Sequence, residues 1–203
     1  MIIIDVETTG IDENVHCIIE IYAMDYDNPD NFFYRKVKMR PGAVLNPVAA
    51  EVNGFRVEDN DDPERVTLEA MVTEFDAWSN GIEDRTMMAQ NPEFDTRFFQ
   101  DSYKRAGSEW PFGYRTVDLH SIAYATAQRI GYDIPLAKRN ISNFNSDTIM
   151  EFVGLEPEPR PHRARNGARW EAEAYSRLVH GKNLLPEFSQ YKIPEYLTQS
   201  GTI

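Results

Sequence analysis

The feature that most constrains this chain is its opening segment, MIIIDVET. Residues 1–6 form a short, β-branched apolar run, which predicts a buried strand. Asp5 and Glu7 lie two residues apart at the end of this run. Side chains at positions i and i+2 point from the same face of a strand, so both carboxylates are expected at one place.

The carboxylate pair has two interpretations. Two neighbouring carboxylates repel each other unless a cation lies between them, and hard cations such as Mg²⁺ prefer oxygen ligands. The alternative is a solvated strand end with Glu7 facing water, which the short pattern alone favours because it is common by accident. Thr8, Thr9 and Gly10 shift the balance towards a site, since they supply hydroxyls and a flexible backbone that a substrate could approach closely.

The rest of the pattern predicts an α/β fold with a mixed sheet flanked by helices. A turn at 27–31 is expected because this segment contains Pro29. Further strands are predicted at 17–26, 32–39, 86–90 and 115–118, and helices after Pro47 and at 63–79, 93–107, 118–130, 146–153 and 163–179. We expect one domain over residues 1–182, with residues 183–203 as a tail packed on it or docking a partner.

Composition excludes several classes of protein. Hydrophobic residues make up 41% of the chain, enough for a sizeable core, and a single cysteine, Cys17, excludes a disulfide framework or a cysteine-based zinc cluster. The net charge of −12 argues against a protein that binds nucleic acid non-specifically through an overall positive charge. It is compatible with a metal-dependent nuclease whose site consists of carboxylates. The four histidines lack zinc-ligand spacing. A cytoplasmic protein without a membrane segment is expected.

Five segments together resemble the motifs of the DnaQ-like DEDDh 3′-to-5′ exonucleases, a group with an RNase H-like fold. Their order and spacing agree over roughly residues 1–180, and each is weak alone. The segments are DVETTG at the end of the first strand, NGF at 53–55, NPEFDTRFF at 91–99, TVDLHSIAY at 116–124 and PHRARNGARWEAEAYSRL at 161–178. The resemblance implies a five-stranded mixed sheet flanked by helices.

The resemblance also implies a chemistry. Such an enzyme hydrolyses phosphodiester bonds at the 3′ end of single-stranded DNA or RNA with two Mg²⁺ or Mn²⁺ ions. Asp5, Glu7 and Asp95 are the implied metal ligands, and His162 is the implied general base. Without the resemblance, Asp95 would be assigned to the helix dipole and His162 to an ordinary loop. The order of the motifs favours the catalytic interpretation of both.

Further residues are predicted to contact the substrate. Thr8, Thr9 and nearby backbone would hold the terminal nucleotide, and Gly10, Asn91 and Phe94 are further predicted substrate contacts. Arg163 and Arg165 would contact the phosphates upstream of the cut. The arginines around His162 are equally well explained as a solvated face. The implied partners are single-stranded 3′ ends, and the resemblance leaves open a homodimer or a polymerase partner.

Gly167 departs from the family pattern, because the position five residues after His162 is an Asp in these enzymes. Glycine cannot bind a metal, and inside a helix it costs about 1 kcal/mol relative to Ala. Three explanations compete: an inactivating substitution, a natural protein that binds 3′ ends without cutting, or a metal contact from Asn166 or Glu171. The first is favoured because the rest of the site is intact. The third is least favoured because neither residue occupies the matching helical position. A smaller departure is Gln90, where relatives often have His.

Overall fold

Residues 1–198 are described by a computed structural model, in which five strands form one mixed sheet. The strand order is β3-β2-β1-β4-β5, in which the β3–β2 and β2–β1 pairs are antiparallel and the β1–β4 and β4–β5 pairs are parallel. The mixed five-stranded sheet predicted from the sequence is therefore confirmed. The strands are β1 Ile2–Thr8, β2 Ile18–Asp25, β3 Asn28–Lys36, β4 Met87–Ala89 and β5 Thr116–Asp118.

Seven α-helices accompany the sheet within residues 1–198. Several begin at a polar residue whose side chain accepts a hydrogen bond from a backbone N–H of the first turn, among them Asn46, Thr67, Asp118 and Asn145. The helices are α1 Pro47–Asn53, α2 Leu68–Ser79, α3 Pro92–Arg105, α4 Leu119–Ile130, α5 Ser146–Phe152, α6 Ala164–His180 and α7 Glu195–Thr198.

Two boundaries differ from the sequence prediction. The turn between β2 and β3 lies at residues 26–27, and Pro29 belongs to β3. Proline is tolerated there because β3 is an edge strand of the sheet. The helix predicted from residue 63 begins only at Leu68, since Thr67 Oγ1 accepts a hydrogen bond from Ala70 N at 3.2 Å and caps the helix.

Strand β1 lies in the middle of the sheet and is covered on both faces. Ile3 belongs to a cluster of buried side chains shared with α4, α5 and α6. Ile2 and Ile4 belong to a second cluster, which includes residues of α2 and α3. Because side chains alternate along a strand, Asp5 and Glu7 share the face of Ile3 and lie towards α6.

The segment after α6 packs on the domain. Phe188 and Leu197 are buried in the same cluster as Ile3, and Tyr196 Oη donates a hydrogen bond to Phe152 O at 2.7 Å. The segment contains a 3₁₀ turn, Pro186–Phe188, and α7, so it is less extended than predicted. The end of the predicted tail, 199–203, lies outside the described residues. Over residues 1–198, none of the helices is long and apolar enough to cross a membrane.

Candidate active site

The end of β1 presents two carboxylates beside a short helix. The β1–β2 pairing is irregular between Glu7 and Thr8, where the strand leaves the sheet. Asn53, the last residue of α1, is buried and its Nδ2 donates a hydrogen bond to Thr8 O at 3.0 Å. Burial raises the pKa of Glu7, and the Asn53 side chain also lies close enough to Glu7 to lower it by a smaller amount. Asp5 and Glu7 keep some exposure to solvent, so a ligand can reach them.

Asp95 is brought to the same place by the start of α3. Asn91 has a φ of 60°, in the left-handed region, and Pro92 follows at the first helical position. Because α3 begins directly after Asn91, its first turn lies next to β1. Asp95 is buried, and its Oδ1 accepts a hydrogen bond from Val6 N at 3.2 Å. Asp95 therefore lies next to the strand residue between Asp5 and Glu7.

A third segment, the loop before α6, contributes His162. The backbone N–H of His162 donates to Val52 O at 3.0 Å, and Arg163 Nη1 donates to Asn53 O at 2.5 Å. These bonds fix the loop to α1 beside Glu7. His162 Nδ1 lies 3.6 Å from Glu158 Oε2. Sequence reasoning missed Glu158, because its Pro-rich loop gave no signal of proximity.

The carboxylates strongly affect one another. Desolvation and then the charge of Glu171 raise the pKa of Asp5 well above its usual range, with smaller contributions from Asp95 and Glu7. Desolvation, followed by the charge of Glu158, raises the pKa of Glu7 to about 8. Desolvation raises the pKa of Asp95 to about 7. A cation among these groups would relieve their repulsion and favour their charged forms.

The pKa of His162 is lowered, whereas the pKa values of the neighbouring carboxylates are raised. Desolvation, and then the positive charge of Arg160, lowers the pKa of His162 below its ordinary value. The imidazole is therefore mainly neutral at neutral pH, with a ring nitrogen able to accept a proton. This protonation state is the one that a general base requires.

The stability of the metal-free chain is expected to fall as the pH rises. Glu7 and Asp95 have folded-state pKa values above those of the unfolded chain. The folded protein therefore retains protons that the unfolded chain has lost, and stability decreases from about pH 4 to about pH 8. In EDTA, urea unfolding should give a free energy of unfolding about 2 kcal/mol or more lower at about pH 8 than at about pH 5. Higher stability at the alkaline pH would contradict this expectation.

The cluster suits an oxygen-preferring cation in its chemistry. Glu171, on α6, is buried, and its Oε2 has no hydrogen-bond partner among the described residues. Buried charged oxygens are normally paired with donors or with metals. No group of three or more His, Cys, Asp and Glu side chains within residues 1–198 has the arrangement of a ready metal site. The carboxylates are therefore chemically suited to bind a divalent ion, although they are not arranged around one point as the ligands of a bound metal would be.

Gly167 lies directly against Asp5. A Cβ built at Gly167 would overlap Asp5 Oδ2 and would lie 2.8 Å from Asp5 Cγ. The Asp5 carboxylate therefore occupies the space that a side chain at this position needs. This close approach gives the glycine inside α6 a packing reason. Asn166, by contrast, is only partly buried.

The predicted substrate contacts divide into two groups. Thr9 is fully buried, and its hydroxyl accepts a hydrogen bond from Cys17 N at 3.1 Å, so its side chain supports the loop and does not fit a substrate contact. Gly10 packs against the His16 ring, which a Cβ would overlap. Thr8 Oγ1 donates to Gly10 O at 2.6 Å.

The other predicted contacts lie nearer the surface. Asn91 is exposed, and its backbone N–H donates to Asp118 Oδ1 at 3.2 Å. Phe94 is partly buried, with its ring centroid 5.0 Å from that of Phe98. Arg163 and Arg165 are both exposed, and Arg163 is the one that lies beside Glu7.

Two cavities flank the carboxylates. One of about 400 Å³ opens beside Glu7, and its wall includes Asn53, Gly54, Phe55 and Arg163. The other, of about 300 Å³, lies on the far side of the cluster and is lined by polar residues, including Gln90, Asn91, Asp118, His120, Ser142 and Asn143.

Comparison with known proteins gives a consistent family match. The RNase T family model, described as Exonuclease, matches residues 2–175. The chain is 27% identical over 179 residues to a PolC-type DNA polymerase III of Thermotoga maritima, and 26% identical to that of Thermotoga petrophila. Each match covers 88% of this chain but only 12% of the polymerase.

Several solved structures share the fold. The nuclease domain of 3′hExo, a DEDDh family member bound to rAMP, superposes with a TM-score of 0.68 at 15% identity, covering 95% of this chain and 94% of that domain. Cell-death related nuclease 4 gives a TM-score of 0.70 at 20% identity, covering 90% of this chain and 64% of the other. E. coli exonuclease I, in complex with a dA16 oligonucleotide, gives a TM-score of 0.70 at 15% identity, covering 89% of this chain and 40% of the other.

Proposed function

Because this chain belongs to the RNase T exonuclease family, we propose that it removes nucleotides from the 3′ end of single-stranded DNA or RNA. One observation carries the proposal: carboxylates from β1 and α3 meet, and the loop that carries His162 is fixed to α1 beside Glu7. Asp95 Oδ1 accepts from the backbone N–H of Val6, between Asp5 and Glu7, and His162 stands on the loop fixed to α1. Phosphodiester hydrolysis needs these elements together.

Asp5, Glu7 and Asp95 would hold the divalent ions, Mg²⁺ or Mn²⁺. When bound, two such ions would polarise the scissile phosphate and offset the negative charge that develops during its hydrolysis. His162 would accept the proton of the attacking water, a role that its lowered pKa supports. Glu158, 3.6 Å from Nδ1, would orient the imidazole and stabilise the charge that it acquires.

The cavity beside Glu7 is proposed to receive the terminal nucleotide. Its volume of about 400 Å³ is within the range of small-molecule sites. Arg163 in its wall offers a cation to a phosphate, while the chain as a whole carries a net charge of −12. Recognition of an end would follow because the cavity accommodates one nucleotide and not a continuing strand.

A digestion assay tests this proposal. Single-stranded DNA and RNA of one sequence, labelled at the 5′ end, would be incubated with the unsubstituted chain and Mn²⁺. We expect a ladder of 5′-labelled products that shortens progressively from the 3′ end. The matched control is Asp95→Asn, which keeps the side-chain volume and should leave both strands intact. Immediate release of a labelled mononucleotide would indicate the opposite polarity and would contradict the proposal.

Gly167 supports a second candidate, a module that binds 3′ ends without cutting them. The same assay separates the two candidates, because such a module would retain a labelled strand in a filter-binding measurement and leave it uncut in Mn²⁺.

The match to PolC-type polymerases supports a polymerase as a partner. Co-elution with a polymerase in size-exclusion chromatography would test this association.

A further inference from the structure

The space at Gly167 is filled by another residue of the site. A Cβ at Gly167 would overlap Asp5 Oδ2, so an Asp could not be added there without moving the Asp5 carboxylate. In the arrangement that the structure shows, the space at position 167 is therefore taken by Asp5, and a further carboxylate for the site would come from another position.

Glu171 is the carboxylate that the geometry supplies. It lies four residues after Gly167 on α6, and residues at i and i+4 share one face of a helix. That face packs on β1 over the carboxylates, because the Asp5 side chain is in contact with Gly167. Glu171 is only 5% exposed and is close enough to Asp5 and Asp95 for their charges to act on one another.

The hydrogen bonding of Glu171 is incomplete. Burial raises the pKa of Glu171, and the backbone of Gln90 lies close enough to lower it by a smaller amount, but Oε2 has no hydrogen-bond partner among the described residues. A buried carboxylate oxygen left unpaired is costly unless a cation or donor meets it. The neighbouring side chains, Asp5 and Asp95, are also acidic and cannot provide a cation themselves.

Building on the proposed function, we propose that Glu171 is a divalent-cation ligand of this site and supplies the carboxylate that Gly167 lacks. The carboxylate would thus come from a position one turn further along α6, on the same face of the helix. This assignment makes the glycine compatible with an active enzyme. It also reverses the order of preference obtained from the sequence, in which a metal contact from Asn166 or Glu171 was the least favoured of the three explanations.

Calorimetric titration of Mn²⁺ into the metal-free chain tests the assignment without relying on activity. Glu171→Gln keeps the size of the side chain and removes the charge, so we expect Mn²⁺ affinity to fall at least about tenfold. The control Glu69→Gln makes the same change at an exposed position of α2, on the other face of the sheet, and should leave the affinity within about twofold.

A second variant, measured by the same titration, moves the carboxylate from position 171 to position 167. Gly167→Asp combined with Glu171→Ala places the acid at the position found in the family, where its Cβ overlaps the Asp5 carboxylate. Because Asp5 is itself a proposed ligand, this double variant should bind Mn²⁺ no more tightly than Glu171→Ala alone. Recovered binding would show that position 167 can supply the ligand and would contradict the geometric argument for Glu171. Circular dichroism would verify that each variant is folded.

The outcomes separate the two proposals. If Glu171→Gln binds Mn²⁺ as tightly as the unsubstituted chain while that chain cuts DNA or RNA, the assignment of Glu171 is wrong and the proposed function stands. If the unsubstituted chain binds no Mn²⁺ and cuts neither strand, both proposals are overturned.

Discussion

Replacing Asp5 with Asn should lower the rate of 3′-end cleavage by about 10³-fold or more, which corresponds to roughly 4 kcal/mol of transition-state stabilisation. Asp5 is the member of the cluster on which the charges of Glu171, Asp95 and Glu7 all act. An amide of the same size would remove one charge that holds the cations. Single-turnover rates in saturating Mn²⁺ would measure the effect.

The loss should occur without loss of the fold. Removing one carboxylate relieves repulsion among Asp5, Glu7, Asp95 and Glu171, so metal-free Asp5→Asn is expected to unfold at a temperature at least as high as the unsubstituted chain. Asp133→Asn makes the same change at an exposed loop position and serves as the control, with a rate within about twofold of the unsubstituted chain. A loss of less than about tenfold for Asp5→Asn would place the chemistry elsewhere.

The largest effect on stability is expected at Arg177, where a change to Met should cost about 3–5 kcal/mol. Arg177 is fully buried on α6, and its Nε donates to Glu173 Oε1 at 2.8 Å. Its Nη1 and Nη2 donate to five further groups, which lie after α5 and in the C-terminal segment: Val153 O at 3.0 Å, Gly154 O at 3.3 Å, Asn183 Oδ1 at 3.0 Å, Phe188 O at 3.1 Å and Tyr191 O at 3.1 Å.

Met retains most of the apolar contacts of Arg177 but leaves the Glu173 charge and several carbonyls unpaired. Equilibrium unfolding in urea would measure the loss. Arg165→Met, at an exposed position of the same helix, should change the free energy of unfolding by no more than about 0.5 kcal/mol. Adding Glu173→Met to Arg177→Met should recover part of the stability, since no charge is then buried alone. A cost below about 1 kcal/mol for Arg177→Met would contradict the structural role assigned to the guanidinium.

The sequence predicted those parts of the site that depend on local geometry. The spacing of Asp5 and Glu7 determines their common face once β1 forms, and Asn91 and Pro92 mark the start of the helix that carries Asp95. The edge position of β3 depends on the order of strands in the sheet, which is why a turn was wrongly assigned around Pro29.

Glu171 and Glu158 illustrate what local patterns cannot predict. The depth at which Glu171 is buried depends on how closely α6 approaches β1, and Gly167 lies against Asp5 at that contact. Glu158 faces His162 because of the path of the loop before α6. Both carboxylates follow from packing between elements that are distant in sequence, and neither has a signature in the sequence around it.

The measurement that tests the central claim most directly is an anomalous difference map from crystals of the unsubstituted chain soaked in Mn²⁺. We predict manganese peaks among Asp5, Asp95 and Glu7, with Glu171 as a further ligand. Manganese bound only away from this cluster, at a concentration of Mn²⁺ that supports cleavage, would contradict the claim that these carboxylates form the catalytic centre.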